Sequence, residues 1–186
     1  MRRFIERRKR GQMGKITFIL GGARSGKSRF ATSLAHKGSR AKRVAFIATC
    51  LAKDKEMEQR IRHHKKARPA HWQTFEKPKN TAALLTKIGS GFDIIIIDCL
   101  TLLVSDLMLR NFKEKKIERD INGILEALAK IKARSIIVSN EVGLGIVPNN
   151  KMARDFRDIA GRINQIVAAK ADEAYFLVSG LAQRIK

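Results

Sequence analysis

One glycine-rich segment contains the residues best suited to chemistry, and it reads Gly21, Gly22, Ala23, Arg24, Ser25, Gly26, Lys27 and Ser28. It follows the apolar run Ile16–Leu20 and satisfies the pattern G-x-x-x-x-G-K-[ST], which lies between a strand and a helix. Glycine at positions 21 and 26 permits backbone angles and close approaches that a Cβ would block. Backbone N–H groups then point at phosphates, Lys27 reaches the β and γ oxygens, and the Ser28 hydroxyl holds Mg²⁺. The whole segment is therefore predicted to bind a nucleotide.

A carboxylate at the end of another apolar run would complete such a metal site. Ile94–Ile97 is followed directly by Asp98, at the carboxyl end of a predicted strand, where ligands bind in open α/β sheets. Asp98 would hold Mg²⁺ directly or through water. It could instead cap the helix that follows, and the sequence alone leaves both roles open. The two motifs predict a Mg²⁺-dependent nucleotide-binding domain without naming a substrate.

Alternating strands and helices must position these groups. Continuous apolar runs are typical of parallel strands covered on both faces, and they occur at Ile16–Leu20, Val44–Ala48, Ile94–Asp98, Ile136–Ser139 and Ala174–Val178. Amphipathic helices are predicted from about Glu114 to Ala133 and from about Met152 to Ala171. This order predicts an α/β fold in which helices cover both faces of a mostly parallel sheet.

Length and charge limit the class of protein. The 186 residues, 44% of them hydrophobic, suit one folded domain, and the longest aliphatic run is too short to span a membrane. The net charge of +22 attracts anions, whether nucleic acid, anionic lipid or phosphorylated small molecules. A nucleic-acid-associated P-loop ATPase is therefore an alternative. One Trp and one Tyr offer little for base stacking, which argues against nucleic acid as the target.

The cysteines and the N-terminal residues bear on location. Cys50 and Cys99 show neither metal-ligand nor disulfide-framework spacing, which favours a reducing cytoplasm. Residues 1–15 carry seven basic side chains and one acid, and the apolar segment of a signal peptide does not follow them. We expect residues 1–15 to form a disordered basic tail and residues 16–186 to form the functional domain.

Longer motifs throughout residues 16–186 resemble one family. Besides the glycine-rich segment they are Ile47-Ala48-Thr49, Glu56-Met57, Arg60-Ile61, His64-Lys65, Arg68-Pro69, His71-Trp72, Asp98-Cys99-Leu100-Thr101, Ser139–Pro148 and Phe156–Gln165. The chain resembles the bifunctional adenosylcobinamide kinase/adenosylcobinamide-phosphate guanylyltransferases of cobalamin biosynthesis. The resemblance implies a three-layer, RecA-like P-loop fold and a homo-oligomer, a trimer in relatives.

Two reactions are implied by this resemblance, with ATP, GTP and corrinoids as partners and no nucleic acid. In the first, the γ-phosphoryl group of ATP or GTP passes to the aminopropanol hydroxyl of adenosylcobinamide. In the second, a histidine attacks the α-phosphorus of GTP, pyrophosphate leaves, and the GMP-histidine passes GMP to adenosylcobinamide phosphate, giving adenosylcobinamide-GDP. Neutral imidazole suits this role near pH 7, because its reference pKa is about 6.5.

The resemblance also implies residue roles. The family pattern Arg-Ile-x-x-His-basic-x-x-Arg-Pro matches residues 60–69 and places the nucleophile at His64, although a shift of one residue would select His63. Lys27, from the glycine-rich segment, is expected to be the second catalytic residue. The remaining nucleotide-binding positions are Thr49, Cys50, Leu51, Lys65, Lys66, Ala67, Arg68, Glu76 and Asp98. Residues 140–148 leave a predicted strand at the ligand-binding edge of the sheet, and from this position they are expected to form a mobile loop over cobinamide.

Overall fold

The structure is a computed structural model that describes residues 14–36, 43–50, 55–66, 68–76 and 78–186. Its strands are β1 (Ile16–Gly21), β2 (Val44–Ala48), β3 (Gln73–Glu76), β4 (Ile94–Asp98), β5 (Arg134–Val138), β6 (Glu173–Val178) and β7 (Leu181–Arg184). Its helices are α1 (Lys27–His36), α2 (Lys55–Lys66), α3 (Thr81–Ile88), α4 (Leu100–Leu109), α5 (Glu114–Lys130) and α6 (Lys151–Lys170).

The described strands form one sheet in the order β3-β2-β4-β5-β1-β6-β7. Every neighbouring pair is parallel except β6 and β7, which form an antiparallel hairpin. In this order β5 lies between β1, which leads into the glycine-rich segment, and β4, which ends at Asp98. The carboxyl ends of these three strands therefore meet at one edge of the sheet, as the sequence predicts.

Helices cover both faces of the sheet, which confirms the predicted three-layer α/β fold. On one face, α3, α4, α5 and α6 pack over a core that includes Phe18 and Ile97. On the other face, Ala31 and Ala35 of α1 pack with Phe46 and Trp72 over the opposite side of the strands. Polar and apolar residues alternate along a strand only when one of its faces is in contact with solvent. These strands are buried on both faces, which explains their continuous apolar sequences.

The predicted helix boundaries are close to those observed. Helix α6 begins at Lys151, one residue before the predicted start at Met152. The Asn150 side chain caps it there, accepting from the Ala153 N–H at 2.8 Å. Helix α5 ends at Lys130 rather than near Ala133, because Ile131 adopts an extended conformation and Ala133 leads into β5. Strand β5 likewise spans Arg134–Val138 instead of Ile136–Ser139.

Two strands were not predicted. Strand β3 is a four-residue edge strand with mixed polarity, and β7 is exposed along its whole length, so neither has a continuous apolar run. No helix within the described residues is long and apolar enough to cross a membrane. The predicted basic tail lies almost entirely at residues 1–13, outside the described residues, and stays a prediction.

Candidate active site

The glycine-rich segment forms a tight loop between β1 and α1. Gly21 has a φ of +151° and Gly26 a φ of +91°, conformations that suit glycine. A Cβ at Gly21 would lie 2.5 Å from the Leu177 carbonyl oxygen, so no side chain fits there. Gly22 differs, since a Cβ there would meet nothing within 4 Å. Ala23 and Arg24 form the exposed tip of the loop, and Arg24 has a φ of +55°.

Neighbouring segments hold the loop from two sides. The Gly180 N–H, in the turn between β6 and β7, donates to the Ser25 carbonyl at 3.0 Å. The Glu141 N–H, just after β5, donates to the Gly21 carbonyl at 3.0 Å. Ser25 itself is buried. These contacts hold the loop's backbone in position.

Lys27 lies inside the loop and is only 7% exposed. Its ammonium donates to the Gly22 carbonyl at 2.5 Å and lies 3.4 Å from the Ser25 hydroxyl. Burial lowers the pKa of Lys27, and the nearby Asp98 carboxylate opposes that shift. A poorly solvated cation at the mouth of a phosphate loop attracts phosphate oxygens more strongly than an exposed one would.

Ser28 and Asp98 meet at the edge of the sheet. The Ser28 hydroxyl donates to Asp98 Oδ2 at 2.8 Å, which brings the start of α1 to the end of β4. The residue that caps α4 is Cys99, without a side-chain hydrogen bond, so Asp98 is not the cap. The geometry therefore favours Asp98 as a metal ligand over Asp98 as the cap of α4. Among the described residues no three His, Cys, Asp or Glu side chains could hold a metal by themselves.

The pair nevertheless suits magnesium. Mg²⁺ prefers hard oxygen ligands, and proteins often supply one or two of these while substrate phosphates and water supply the rest. A serine hydroxyl and a carboxylate beside a phosphate loop form such a set. The oxygens of Ser28 and Asp98 therefore fit the binding of Mg²⁺.

Cys99 is buried directly beside these groups. Burial raises the pKa of its thiol to about 12, and the Asp98 carboxylate adds to the shift. The thiol is consequently neutral at physiological pH. Cys50, the other cysteine, is half-buried.

Further predicted site residues lie along the same edge. Ala48 pairs in register with both Glu76 of β3 and Asp98 of β4, so the two carboxylates stand at equivalent strand ends. Thr49, which follows Ala48, is buried, and its hydroxyl donates to the Cys99 carbonyl at 2.6 Å. This bond fixes the end of β2 against the end of β4.

Two cations approach the edge from α2 and the segment after it. The Lys65 ammonium lies 2.5 Å from Glu76 Oε1, which joins the C-terminal part of α2 to β3. The Arg68 guanidinium lies 3.8 Å from the centroid of the Phe46 ring, and its buried Nη1 has no hydrogen-bond partner among the described residues. Burial lowers the pKa of Arg68, while the carboxylates of Asp98 and Glu76 oppose that shift.

Several predicted residues lie partly or wholly outside the described structure. His63, His64 and Lys66 belong to α2, but only their backbone is described. Leu51 and Ala67 are outside the described residues. The roles predicted for these five residues stay predictions, as does the choice between His63 and His64.

A buried polar cluster was missed as a positioning element, although its residues stand in the motifs noted above. The Ser139 hydroxyl lies 2.9 Å from the Thr101 hydroxyl and donates to Asn164 Oδ1 at 2.7 Å. The Asn140 N–H donates to Thr101 Oγ1 at 2.6 Å, and Asn164 Nδ2 donates to the Asn140 carbonyl at 3.2 Å. The sequence signal for this cluster was the presence of polar residues within otherwise apolar motifs. The cluster joins α4, α6 and the segment after β5.

The segment 140–148 continues from this cluster, and its residues 143–147 are exposed. Leu144, Ile146 and Val147 are 79%, 97% and 60% exposed, so three large apolar side chains face solvent together on one loop. An open depression of about 430 Å³ lies between this loop and α6, and Arg157 and Arg162 contribute to its lining.

The loop between β1 and α1, with a buried lysine and a serine bonded to a carboxylate on a nearby strand, defines a P-loop nucleotide-binding enzyme. Within this class the chain belongs to one family. The CobU family model, described as cobinamide kinase / cobinamide phosphate guanyltransferase, matches residues 17–185. This confirms the resemblance found in the sequence and does not favour a nucleic-acid-associated ATPase.

Curated relatives agree over nearly the whole chain. The bifunctional adenosylcobalamin biosynthesis protein CobU of Salmonella typhimurium is 42% identical over 183 residues, which cover 92% of this chain and 99% of the relative. The Escherichia coli protein of the same name is 38% identical with the same coverage. The bifunctional protein CobP of Pseudomonas aeruginosa is 41% identical, covering 90% of this chain and 95% of the relative.

Proposed function

We propose that this protein phosphorylates the aminopropanol hydroxyl of adenosylcobinamide with ATP or GTP, and then transfers GMP from GTP to the product. Membership of the cobinamide kinase / cobinamide phosphate guanyltransferase family supports both reactions. The observation that carries the proposal is the phosphate loop, with Lys27 buried inside it and Ser28 bonded to Asp98. That arrangement is what a triphosphate donor requires.

In the kinase reaction, the substrate hydroxyl oxygen forms a bond to the γ-phosphorus while the bond to the β–γ bridging oxygen breaks. The loop N–H groups bind the phosphates, and Lys27 exchanges the Gly22 carbonyl for β and γ oxygens. Ser28 and Asp98 are the residues that would hold Mg²⁺, which when bound neutralises negative charge on those oxygens. Arg24, at the exposed tip of the loop, adds a positive charge beside the donor.

In the guanylyltransferase reaction, His64 attacks the α-phosphorus of GTP, the bond to the α–β bridging oxygen breaks, and pyrophosphate leaves. GMP is held as a phosphoramidate until a phosphate oxygen of adenosylcobinamide phosphate attacks the same phosphorus and releases the histidine. The neighbouring residues Lys65 and Arg68 offset charge on the phosphate, and Glu76 contacts the guanine nucleotide. The role of Arg68 is supported by its buried Nη1, which has no hydrogen-bond partner among the described residues and could donate to a phosphate oxygen. Thr49 and Cys50, with Leu51, Lys66 and Ala67, complete the proposed nucleotide contacts.

Asp98 connects the two groups of residues. Its carboxylate accepts from Ser28 and also opposes the lowering of the pKa values of Lys27 and Arg68. These contacts support the proposal that both reactions use the same edge of the sheet. From the family resemblance we also propose that the protein is cytoplasmic and forms a homotrimer. Size-exclusion chromatography with light scattering tests the oligomeric state.

A two-stage incubation tests the proposed function. Purified protein receives adenosylcobinamide, ATP and Mg²⁺, then GTP, and mass spectrometry follows the corrinoid at each stage. The corrinoid should first gain one phosphoryl group and then one guanylyl group. A corrinoid that stays unchanged, while DNA or RNA stimulates ATP hydrolysis, would contradict the proposal and support the nucleic-acid alternative.

A further inference from the structure

Three carboxylates of the described structure lie where strands β3, β4 and β5 lead to the ligand-binding edge. Glu76 pairs with the Lys65 ammonium and Asp98 accepts from Ser28, so a cation or a hydroxyl group engages each of them. Glu141, two residues beyond Ser139, differs. Its Oε1 accepts only from a backbone group, the Gly143 N–H at 2.7 Å, among the bonds that the structure describes.

The position of Glu141 relative to the phosphate loop is set by the backbone. Its N–H donates to the Gly21 carbonyl at 3.0 Å, so the residue lies directly against the first residue of the loop. The preceding residue, Asn140, is bonded through both its N–H and its carbonyl to the buried cluster of Thr101 and Asn164. Buried hydrogen bonds of this kind hold a segment in one conformation. Glu141 is thus a fixed carboxylate at the mouth of the site.

We propose that Glu141 is the general base of the kinase reaction, an inference that rests on the proposed function. Its carboxylate accepts the proton of the substrate hydroxyl as the hydroxyl oxygen bonds to the γ-phosphorus and the nucleoside diphosphate leaves. The proton then passes to solvent, which restores the carboxylate. Protein kinases use an aspartate in this way to accept the proton of a substrate hydroxyl.

The surroundings of Glu141 fit an acceptor alcohol carried by a large, partly apolar molecule. The same segment presents the exposed side chains Leu144, Ile146 and Val147, which a small polar acceptor would not need. Asp98 is unsuited to the role because it already accepts from Ser28 at the metal position. Glu76 is unsuited because its ion pair with Lys65 lies on the far side of β2 and β4 from the loop.

Glu141→Gln tests the proposal with little disturbance, because glutamine keeps an oxygen that accepts from the Gly143 N–H. The kinase kcat should fall by about 100-fold or more, the usual contribution of general acid–base catalysis. The KM for ATP should stay within about threefold, and guanylyl transfer to chemically prepared adenosylcobinamide phosphate should be retained. In Glu141→Ala, added formate should restore part of the kinase rate. Glu126→Gln, on the exposed surface of α5, is the matched control and should behave as wild type.

Other results would overturn the proposal. A Glu141→Gln enzyme with a kinase kcat within threefold of wild type would show that no base acts there. Equal loss of both reactions, with weaker nucleotide binding and no effect of formate, would show that Glu141 only supports the fold. Failure of the wild-type protein to phosphorylate the corrinoid would instead refute the proposed function, and this inference with it.

Discussion

The Ser28 hydroxyl donates a hydrogen bond to the Asp98 carboxylate at 2.8 Å, although 70 positions separate the two residues in the chain. The contact exists because β1 and β4 are parallel members of one sheet, separated only by β5, so their carboxyl ends face the same side. It joins the residue that ends the phosphate loop to the acidic residue that the sequence predicts for the same metal ion.

Asp98→Asn should therefore reduce both reactions by about 10–100-fold and raise the Mg²⁺ concentration needed for half-maximal rate, because a neutral amide attracts the cation less. Magnesium titrations of the kinase and guanylyltransferase rates measure this. Asp155→Asn, which removes an exposed carboxylate on α6, is the control and should leave the titration unchanged. An unaltered magnesium requirement in Asp98→Asn would mean that Asp98 has another role.

Gly21→Ala should destabilise the protein by at least ~2 kcal/mol, because the added Cβ meets the Leu177 carbonyl and the backbone angle disfavours a side chain. Gly22→Ala is the matched control, since a Cβ there meets nothing, and its stability should stay within about 0.5 kcal/mol of wild type. Urea unfolding of the two variants measures the difference. Equal stabilities would refute the steric explanation for Gly21.

The Cys99 thiol predicts a loss of stability at alkaline pH. The unfolded thiol titrates near 9.0, whereas burial raises the pKa of the folded thiol to about 12. Between these values the unfolded chain has lost a proton that the folded protein keeps, so the free energy of unfolding falls by about 1.4 kcal/mol per pH unit. Cys99→Ala lacks this contribution.

Urea unfolding of wild type and Cys99→Ala at about pH 8 and pH 10.5 isolates the effect. Between the two pH values, the free energy of unfolding of Cys99→Ala should rise by about 2 kcal/mol relative to that of wild type, because only wild type has a thiol that stays protonated when folded and ionises when unfolded. Other alkaline titrations affect both proteins and cancel in the comparison. A difference that is the same at both pH values would show that Cys99 ionises normally in the folded protein.

The sequence predicts those parts of the structure that depend on local pattern. Strands such as Val44–Ala48 are continuous apolar runs because both of their faces are buried, and the phosphate loop follows a fixed spacing. Strand β3 was missed because an edge strand of four residues with mixed polarity has no such run. The rules for parallel sheets were sufficient to place Asp98 beside the loop.

Contacts between distant polar residues could not be predicted in the same way. The bonds among Thr101, Ser139 and Asn164 depend on how α4 and α6 pack beside β5, and no spacing in the chain encodes that geometry. The stacking of Arg68 on Phe46 is another such contact. Both arise from tertiary packing, which determines where the segment after β5 and the segment after α2 lie.

Covalent labelling with α-labelled GTP tests most directly whether a histidine of α2 carries GMP, as proposed. Wild-type protein with Mg²⁺ should gain the mass of one GMP, in an acid-labile form that adenosylcobinamide phosphate removes. His64→Ala should gain no label while it keeps the kinase reaction, and His63→Ala should be labelled as wild type is. Wild-type protein that never becomes labelled would contradict the account, and label retained in His64→Ala but lost in His63→Ala would move the nucleophile to His63.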